Sequence, residues 1–132
     1  MCRACGSGAH SPRPGSAVPL DAVFAEVTIG DGAARGVVRR EHARRLCEGH
    51  FPGEPVVPGA YLAGLMAELS ASLLPPGALL AALERCVFRA RVTPEDEIVV
   101  SARRAAASRV DAEVGWRGVC AARATLRFRT DA

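Results

Sequence analysis

One histidine stands in a stretch that is dense in proline and glycine, and this stretch, residues 50–59, is the part of the chain best suited to chemistry. Its three prolines fix φ and restrict the residues before them, so we expect a stiff loop. Gly53 and Gly59 permit backbone conformations or close approaches that a side chain would block. An imidazole held rigidly in such a loop, as that of His50 would be, is suited to act as a general base at neutral pH.

The element that follows the loop decides what such a base could act on. The apolar pattern predicts a helix over residues 60–74, directly after the prolines. The first N–H groups of a helix lack acceptors within the helix and favour negative charge. A base beside them can remove a proton while the amides stabilise a developing oxyanion. The residues alone favour equally a tight loop whose histidine is hydrogen-bonded and has no catalytic role.

Turn signals and alternation divide the first third of the chain. Residues 1–17 are rich in Gly, Ser, Pro and Arg and predict a flexible leader, so the folded domain is predicted to span 18–132. Residues 22–29 alternate as a strand does, and turn residues 30–32 lead to a returning strand over 34–39. We therefore expect a hairpin at the start of the domain.

One helix and several strands are predicted for the rest of the domain. Residues 41–59 are expected to form a loop, and the helix over 60–74 ends at the Pro-Pro-Gly sequence 75–77. Because apolar residues lie on every side of this helix, we expect burial nearly all round. This order of elements favours an α+β fold in which an antiparallel sheet wraps around one long central helix. The later strands are predicted at 79–92, 97–106, 108–116 and 119–129.

Composition narrows the class of protein. The 132 residues fit one domain, and an apolar fraction of 49% is enough for a core. All 17 basic residues are arginine, which indicates GC-rich coding rather than a ligand. A net charge of +3 without a basic helix argues against nucleic acid as a partner. No apolar run reaches the length needed to cross a bilayer, so no membrane association is expected.

The five cysteines, an odd number without a secretory signal, predict a reducing compartment, the cytoplasm, and no disulfide framework. Cys2 and Cys5, with His10 nearby, have the spacing of half a zinc site, but structural zinc takes four ligands and no second pair exists, so no metal is expected. Cys47 has no paired base in the sequence and is predicted to be a small buried residue. His42 stands among arginines and is predicted to lie on a solvated surface.

The sequence His-Phe-Pro-Gly-x-Pro-Val-x-Pro-Gly at residues 50–59 resembles the signature of bacterial 3-hydroxyacyl-acyl-carrier-protein dehydratases. A second block, residues 87–98, resembles the strand-turn-strand pattern of the same family, with Glu95 in place of the usual glycine. The resemblance spans residues 18–129 and implies a hotdog fold that works as a dimer. It also implies a substrate on the phosphopantetheine arm of an acyl carrier protein, an acyl tunnel at the subunit interface, and no metal or dissociable cofactor.

The resemblance also implies roles for individual residues. His50 matches the histidine that removes the α-proton of a 3-hydroxyacyl thioester. The amide of Gly59 matches the group that polarises the thioester carbonyl. Phe51, Pro58 and Gly64 fall at positions expected to contact the substrate. In the family, a Glu or Asp on the helix of the opposite subunit handles the departing hydroxyl.

The acid of the family is missing from this chain. Its position, fourteen residues after His50, is held by Gly64, which has no proton to donate and costs about 1 kcal/mol relative to alanine inside a helix. Glu68 lies one turn further along the same helix face, roughly 6 Å away, and is the candidate to replace the acid. The alternative is that Glu68 is a polar residue satisfied at the dimer interface.

Three functions remain open on the sequence. The first is dehydration of 3-hydroxyacyl thioesters, of fatty-acid or polyketide type, by a homodimer that uses Glu68 or water, or by a heterodimer whose other hotdog subunit supplies the acid. The second is thioester isomerisation or hydrolysis in the same tunnel. The third is a non-catalytic partner subunit. Four arginines are candidates for contact with an acidic carrier protein, or are ordinary solvent-facing side chains: Arg89, Arg91, Arg103 and Arg104.

Overall fold

The strands of the chain form one antiparallel sheet that carries a helix on one face. The computed structural model describes residues 19–48 and 55–129, so the predicted leader lies outside the described residues. The strands are hydrogen-bonded in the order β1-β2-β4-β5-β6-β3, and each neighbouring pair is antiparallel. The predicted α+β class is confirmed. The elements are α1 (Leu20–Val23), β1 (Phe24–Gly30), β2 (Ala33–Val38), α2 (Arg40–Cys47), α3 (Gly59–Ala71), β3 (Leu79–Phe88), β4 (Ile98–Ala106), β5 (Arg109–Trp116) and β6 (Val119–Arg129).

The hairpin of β1 and β2 is joined by a tight turn at the predicted place. Asp31 and Gly32 have φ angles of 53° and 72°, the left-handed geometry that a two-residue hairpin turn requires. The pairing places the ring of Phe24 against Gly36, where a Cβ would lie 2.8 Å from the Cδ1 atom of that ring. Close contact with an aromatic ring therefore explains the glycine in the middle of β2. The short helix α1, which the sequence pattern did not predict, delays the start of β1 by two residues.

Helix α2 corrects the prediction of a continuous loop over residues 41–59. It buries Ala43 and Cys47, which are four residues apart and so share one face of the helix. Its entry is fixed by the backbone, because the N–H of Arg39 donates to the carbonyl of Val23 at 2.8 Å. Its apolar face consists of Ala43, Leu46 and Cys47 among charged neighbours, and so short an apolar pattern explains why the sequence analysis missed the helix.

Helix α3 packs one face on the sheet, against β4, β5 and β6. The residues on this face are fully or almost fully buried: Leu62, Leu65, Met66 and Leu69. On its opposite face, Ala60, Tyr61 and Gly64 are exposed. The expected burial nearly all round is therefore wrong for the single chain, because the sheet covers only one side of the helix. No helix in the described residues is long and apolar enough to span a membrane.

Strand β3 lies at one edge of the sheet and is unusually apolar for an edge. Leu80, Leu83 and Phe88 pair across from Phe128, Leu126 and Ala122 of β6, which are buried on the helix side of the sheet. Since directly opposed residues of antiparallel strands share a face, these three side chains point to the side that carries α3. All three are more than two-fifths exposed, and we call them the β3 strip: Leu80, Leu83 and Phe88.

Candidate active site

The first turn of α3 forms the centre of the candidate site. Pro58 is the N-cap, and its carbonyl accepts hydrogen bonds from the N–H groups of Tyr61 and Leu62, at 2.9 and 3.2 Å. The amides of Gly59 and Ala60 precede these first bonds of the helix, so their N–H groups point out of its end. Such amides suit a carbonyl oxygen that gains negative charge during a reaction.

The approach to this helix end is tied to the sheet. The N–H of Val57 donates to the carbonyl of Val92 at 2.8 Å, and the side chain of Val57 is buried. Beyond Val92, the indole N–H of Trp116 donates to the carbonyl of Thr93 at 3.2 Å. These two bonds hold the start of α3 to the turn before β4, and this turn belongs to the second sequence block that marked the family. The two blocks, 28 or more residues apart in sequence, are thus in contact in the fold.

Phe88 contacts the helix start from the end of β3. A Cβ built on Gly59 would lie 3.3 Å from both Cε2 and Cζ of the Phe88 ring, closer than such contacts normally are. The ring therefore lies directly against the glycine backbone. A side chain at this position would push against the ring, so the contact favours glycine, in addition to any role of its amide.

Two of the residues predicted for the site, His50 and Phe51, lie outside the described residues. Pro58 and Gly59 are at the start of α3, as the loop-to-helix pattern predicts. Gly64 and Glu68 lie further along the helix, about 7.5 and 13.5 Å from Gly59 along the axis at 1.5 Å per residue. The fold therefore joins Pro58 and Gly59 to Phe88, which the sequence analysis did not assign to the site.

The position that lacks the family's acid faces open space. A Cβ on Gly64 would have no atom of the described residues within 4 Å, apart from its own helix turn and neighbours. Glu68, one turn later, is partly buried and has an interaction partner in the structure. Both residues lie away from the sheet, on the same side of α3 as the exposed Tyr61. Among the described residues of α3, Glu68 is the carboxylate on this side of the helix.

Two further candidates are explained by their surroundings. Cys47 is buried, its Sγ donates to the carbonyl of Ala43 at 3.4 Å, and burial raises the pKa of its thiol. Its burial confirms the prediction of a small buried residue. Because a thiol with a raised pKa is a poor nucleophile, Cys47 is also poorly suited to catalysis. His42 is partly buried rather than fully solvated. Burial is the main cause that lowers the pKa of its imidazole, and the charge of Arg45 lowers it further, whereas the charge of Glu41 raises it.

The strand arginines divide into two groups. The guanidinium of Arg104 donates to the carbonyls of Leu73 and Ala107, at 3.5 and 2.9 Å, so it fastens the segment after α3 to the sheet. This contact gives Arg104 a structural role. Arg89 and Arg103 are exposed, and Arg91 is exposed with an interaction partner. Arg89 and Arg91 lie one and three residues after Phe88, whereas Arg103 lies on the outer face of the sheet.

Comparison with solved structures supports the fold. The chain is similar to the dehydratase heterocomplex ApeI:P from Xenorhabdus doucetiae, with a TM-score of 0.71, 14% identity, and coverage of 82% of this chain and 97% of that chain. It is similar to an uncharacterized protein, PH1136, from Pyrococcus horikoshii, with a TM-score of 0.66, 16% identity, and coverage of 80% and 82%. A third similar structure is smu.793 from Streptococcus mutans UA159 bound to acetyl CoA, with a TM-score of 0.62, 14% identity, and coverage of 80% and 86%. At such identities the likeness establishes the hotdog fold alone.

Sequence comparison gives the family. No curated protein matches the chain significantly. The family model of the ApeI-like proteins, described as ApeI dehydratase, matches residues 31–121. The matched region includes both sequence blocks, the helix start and Phe88, and it covers more than half of the chain. The chain therefore belongs to the ApeI-like dehydratase family.

Proposed function

We propose that this protein dehydrates 3-hydroxyacyl thioesters carried on an acyl carrier protein. The observation that carries the proposal is the start of α3, where the amides of Gly59 and Ala60 precede the first hydrogen bonds of the helix in a member of a dehydratase family. Gly59 closes the signature stretch that contains His50, so the proposed base and the amides are joined by a short proline-rich segment.

The proposed reaction uses His50 as the base. Its imidazole takes the proton from the carbon next to the thioester carbonyl, and the electron pair of that C–H bond moves toward the carbonyl oxygen. The N–H of Gly59 donates a hydrogen bond to this oxygen while it carries negative charge. The electron pair then forms the carbon–carbon double bond as the bond to the β-hydroxyl breaks. The hydroxyl leaves as water once it accepts a proton from an acid. Phe51, Pro58 and Gly64 are proposed to line the space for the acyl group.

A second hotdog subunit is proposed to supply the acid. Gly64 holds the place of the acid and offers only open space on the exposed side of α3. A partner carboxylate can enter that space without displacing a side chain of this chain's described residues. The similar structure from Xenorhabdus doucetiae is itself a heterocomplex of a dehydratase, and this supports a mixed pair. Glu68 of the same helix face is the alternative source, and it would make a homodimer self-sufficient.

The proposed partner covers the β3 strip and the exposed side of α3. An edge strand presents unpaired backbone groups, and a long apolar edge is normally covered in a stable protein. Leu80, Leu83 and Phe88 lie on the helix side of the sheet, and Phe88 contacts Gly59 at the start of α3. The proposed pairing at β3 would bring a second subunit to this helix start and enclose an apolar passage that begins at Phe88.

Mass spectrometry of the substrate tests the proposed function. The purified chain is incubated with a 3-hydroxyacyl-acyl carrier protein, alone and with a hotdog subunit that carries the family's acid, and loss of water from the acyl group is followed. His50→Ala is expected to abolish water loss in either setting. Glu68→Gln, which keeps the size of the side chain, separates the two sources of the acid.

Each outcome has a distinct meaning. Water loss that needs the second subunit and survives Glu68→Gln supports the mixed pair. Water loss by the chain alone that disappears in Glu68→Gln supports the homodimer. Free acid or a shifted double bond in place of water loss would show hydrolysis or isomerisation, and the proposed dehydration would be wrong. Binding of the acyl carrier protein with unchanged rates in His50→Ala would show a non-catalytic subunit.

A further inference from the structure

We infer that Phe88 is a positioning residue of the active site, which acts by holding the start of α3 in place and by forming one wall of the space in front of it. The inference rests on the proposed function, because the group to be positioned is the amide of Gly59. Its own basis is the geometry of Phe88, a residue to which the sequence pattern gave no role in the site.

The contact between Phe88 and Gly59 is direct. The Cε2, Cζ and Cδ2 atoms of the ring lie 3.3, 3.3 and 3.4 Å from the place where a Cβ of Gly59 would be. Three atoms of one ring are thus at similar distances, so the ring presents a broad surface to the first residue of the helix. A displacement of the ring would change the room available to Gly59, and a displacement of Gly59 would meet the ring.

Phe88 is held rigidly enough to serve as a reference. It pairs with Ala122 of β6, which is fully buried, and the next N–H along, that of Arg89, donates to the carbonyl of Ala121 at 2.7 Å. The other side of the contact is fixed by the bond from Val57 to Val92. The backbone of Phe88 and the start of α3 are therefore both anchored in the sheet, and we infer that the ring between them relates the position of β6 to that of the amides.

Phe88 shares its exposure with Leu80 and Leu83 of the β3 strip, and its contact with Gly59 is what gives it a further role. The residue is 47% exposed, although the pairing places its side chain on the helix side of the sheet, where most residues of β6 are buried. One edge of the ring rests on Gly59, and about half of the residue stays exposed. The three heavy atoms nearest to a Cβ on Gly59 all belong to the Phe88 ring. A thioester whose carbonyl oxygen accepts from the Gly59 amide would therefore lie beside this ring.

A double-mutant cycle tests the inference. The variants are Phe88→Ala, Gly59→Ala and the two combined, with Phe88→Leu to keep apolar bulk while shortening the contact. A small displacement of groups that act in the transition state costs up to about a hundredfold in rate. We expect each single variant to lower kcat about 10- to 100-fold and to change KM less than about threefold. Ile29→Ala is the matched control, because Ile29 is 50% exposed on the opposite edge strand, and its rates are expected to stay unchanged.

Rescue is the result that a merely structural role would not give. The Cβ that Gly59→Ala adds meets the Phe88 ring, so removal of the ring relieves the clash, and the combined variant is expected to be no slower than the slower single variant. Additive losses would overturn the inference. So would a Phe88→Leu variant with wild-type kcat, or losses that follow the free energy of unfolding measured in urea.

The cycle remains decisive if the proposed function fails. If the substrate loses no water when it is incubated with the wild-type protein, alone or with a partner subunit, the proposed dehydration is wrong. The same four proteins are then compared by calorimetry for the Kd of a pantetheine analogue in which CH₂ replaces the thioester sulfur and the carbonyl is kept. Non-additive changes in Kd would still support positioning by Phe88, and additive changes or equal Kd values would overturn it.

Discussion

The substitution Gly64→Glu tests whether a carboxylate is all that a homodimer of this chain lacks. Gly64 occupies the place of the family's acid, and a Cβ there meets no atom of the described residues within 4 Å apart from its immediate surroundings. Because Gly64 is exposed, we expect the longer side chain to be accommodated without repacking the described core. We expect the variant to dehydrate a 3-hydroxyacyl-acyl carrier protein without a second kind of subunit.

The expected magnitudes follow from the position of Gly64 inside α3. Glycine is about 0.8–1.0 kcal/mol less favourable than alanine in a helix interior, and glutamate is close to alanine. With no clash to offset this term, Gly64→Glu and Gly64→Ala should each raise the free energy of unfolding by about 0.5–1 kcal/mol. For a domain of this size that corresponds to a rise in Tm of roughly 2–5 °C. A well-placed general acid contributes about 10²- to 10⁴-fold to rate.

The assay compares three variants at one pH by mass spectrometry of the acyl group and by thermal unfolding. Gly64→Gln is the control for side-chain size without an ionisable proton, and Gly64→Ala is the control for helix propensity. Water loss in Gly64→Glu alone is the expected result. A fall in Tm in all three would show that the space at Gly64 is filled in the assembled protein. A higher Tm without water loss would refute the reasoning that the missing acid limits the homodimer.

Three further substitutions probe the fold. Gly36→Ala should lower the free energy of unfolding in urea by about 1–3 kcal/mol, because the new Cβ would lie 2.8 Å from the ring of Phe24. Ser70→Ala should raise it by about 1 kcal/mol, since the buried Oγ of Ser70 has no hydrogen-bond partner among the described residues. Burial lowers the pKa of His42 in the folded state. At pH values between this lowered pKa and the ordinary pKa of histidine, the unfolded chain therefore binds more protons than the folded chain. Stability should therefore fall as pH falls through that range, and His42→Gln should reduce this dependence in urea titrations.

Contrary results would be informative at each position. A neutral Gly36→Ala would mean that the ring can turn away from β2 at little cost. A destabilised Ser70→Ala would reveal a partner for the hydroxyl, and an NMR titration that finds an unshifted His42 would remove the reason for the pH dependence.

Local patterns predicted much of the secondary structure. The hairpin turn at Asp31 and Gly32 follows from residue types that accept positive φ, and the end of α3 before residues 75–77 follows from prolines that cannot continue a helix. Strand β6 was predicted with its observed bounds, Val119–Arg129, because its alternation is regular. In the site, the pattern placed Gly59 at the junction of a stiff loop and a helix, which is where α3 begins.

Weak local signals account for two errors in the elements. Helix α2 has only two buried residues in its helical period, so its charged residues made it look like a loop. Strand β3 was predicted to run to residue 92, but it ends at Phe88. In the segment that follows, the carbonyl of Val92 accepts a hydrogen bond from the N–H of Val57, just before α3. The bulge at Arg85, with φ of 51°, is likewise set by pairing with β6. The end of β3 and the bulge at Arg85 therefore both depend on contacts with a distant part of the chain.

What the sequence by itself determined is the membership of the family, which is indicated by the histidine motif and the glycine at the helix start, and the residue type at position 64, where the family's acid is replaced by glycine. What only the tertiary structure decided is which distant residues meet at that helix start. Phe88 is 29 positions after Gly59, and its ring reaches the glycine only because β3 pairs with β6 at the edge of the sheet. The same pairing leaves one side of α3 uncovered. Hydrophobic periodicity records that a residue is apolar, but the partner that buries it is fixed by long-range packing.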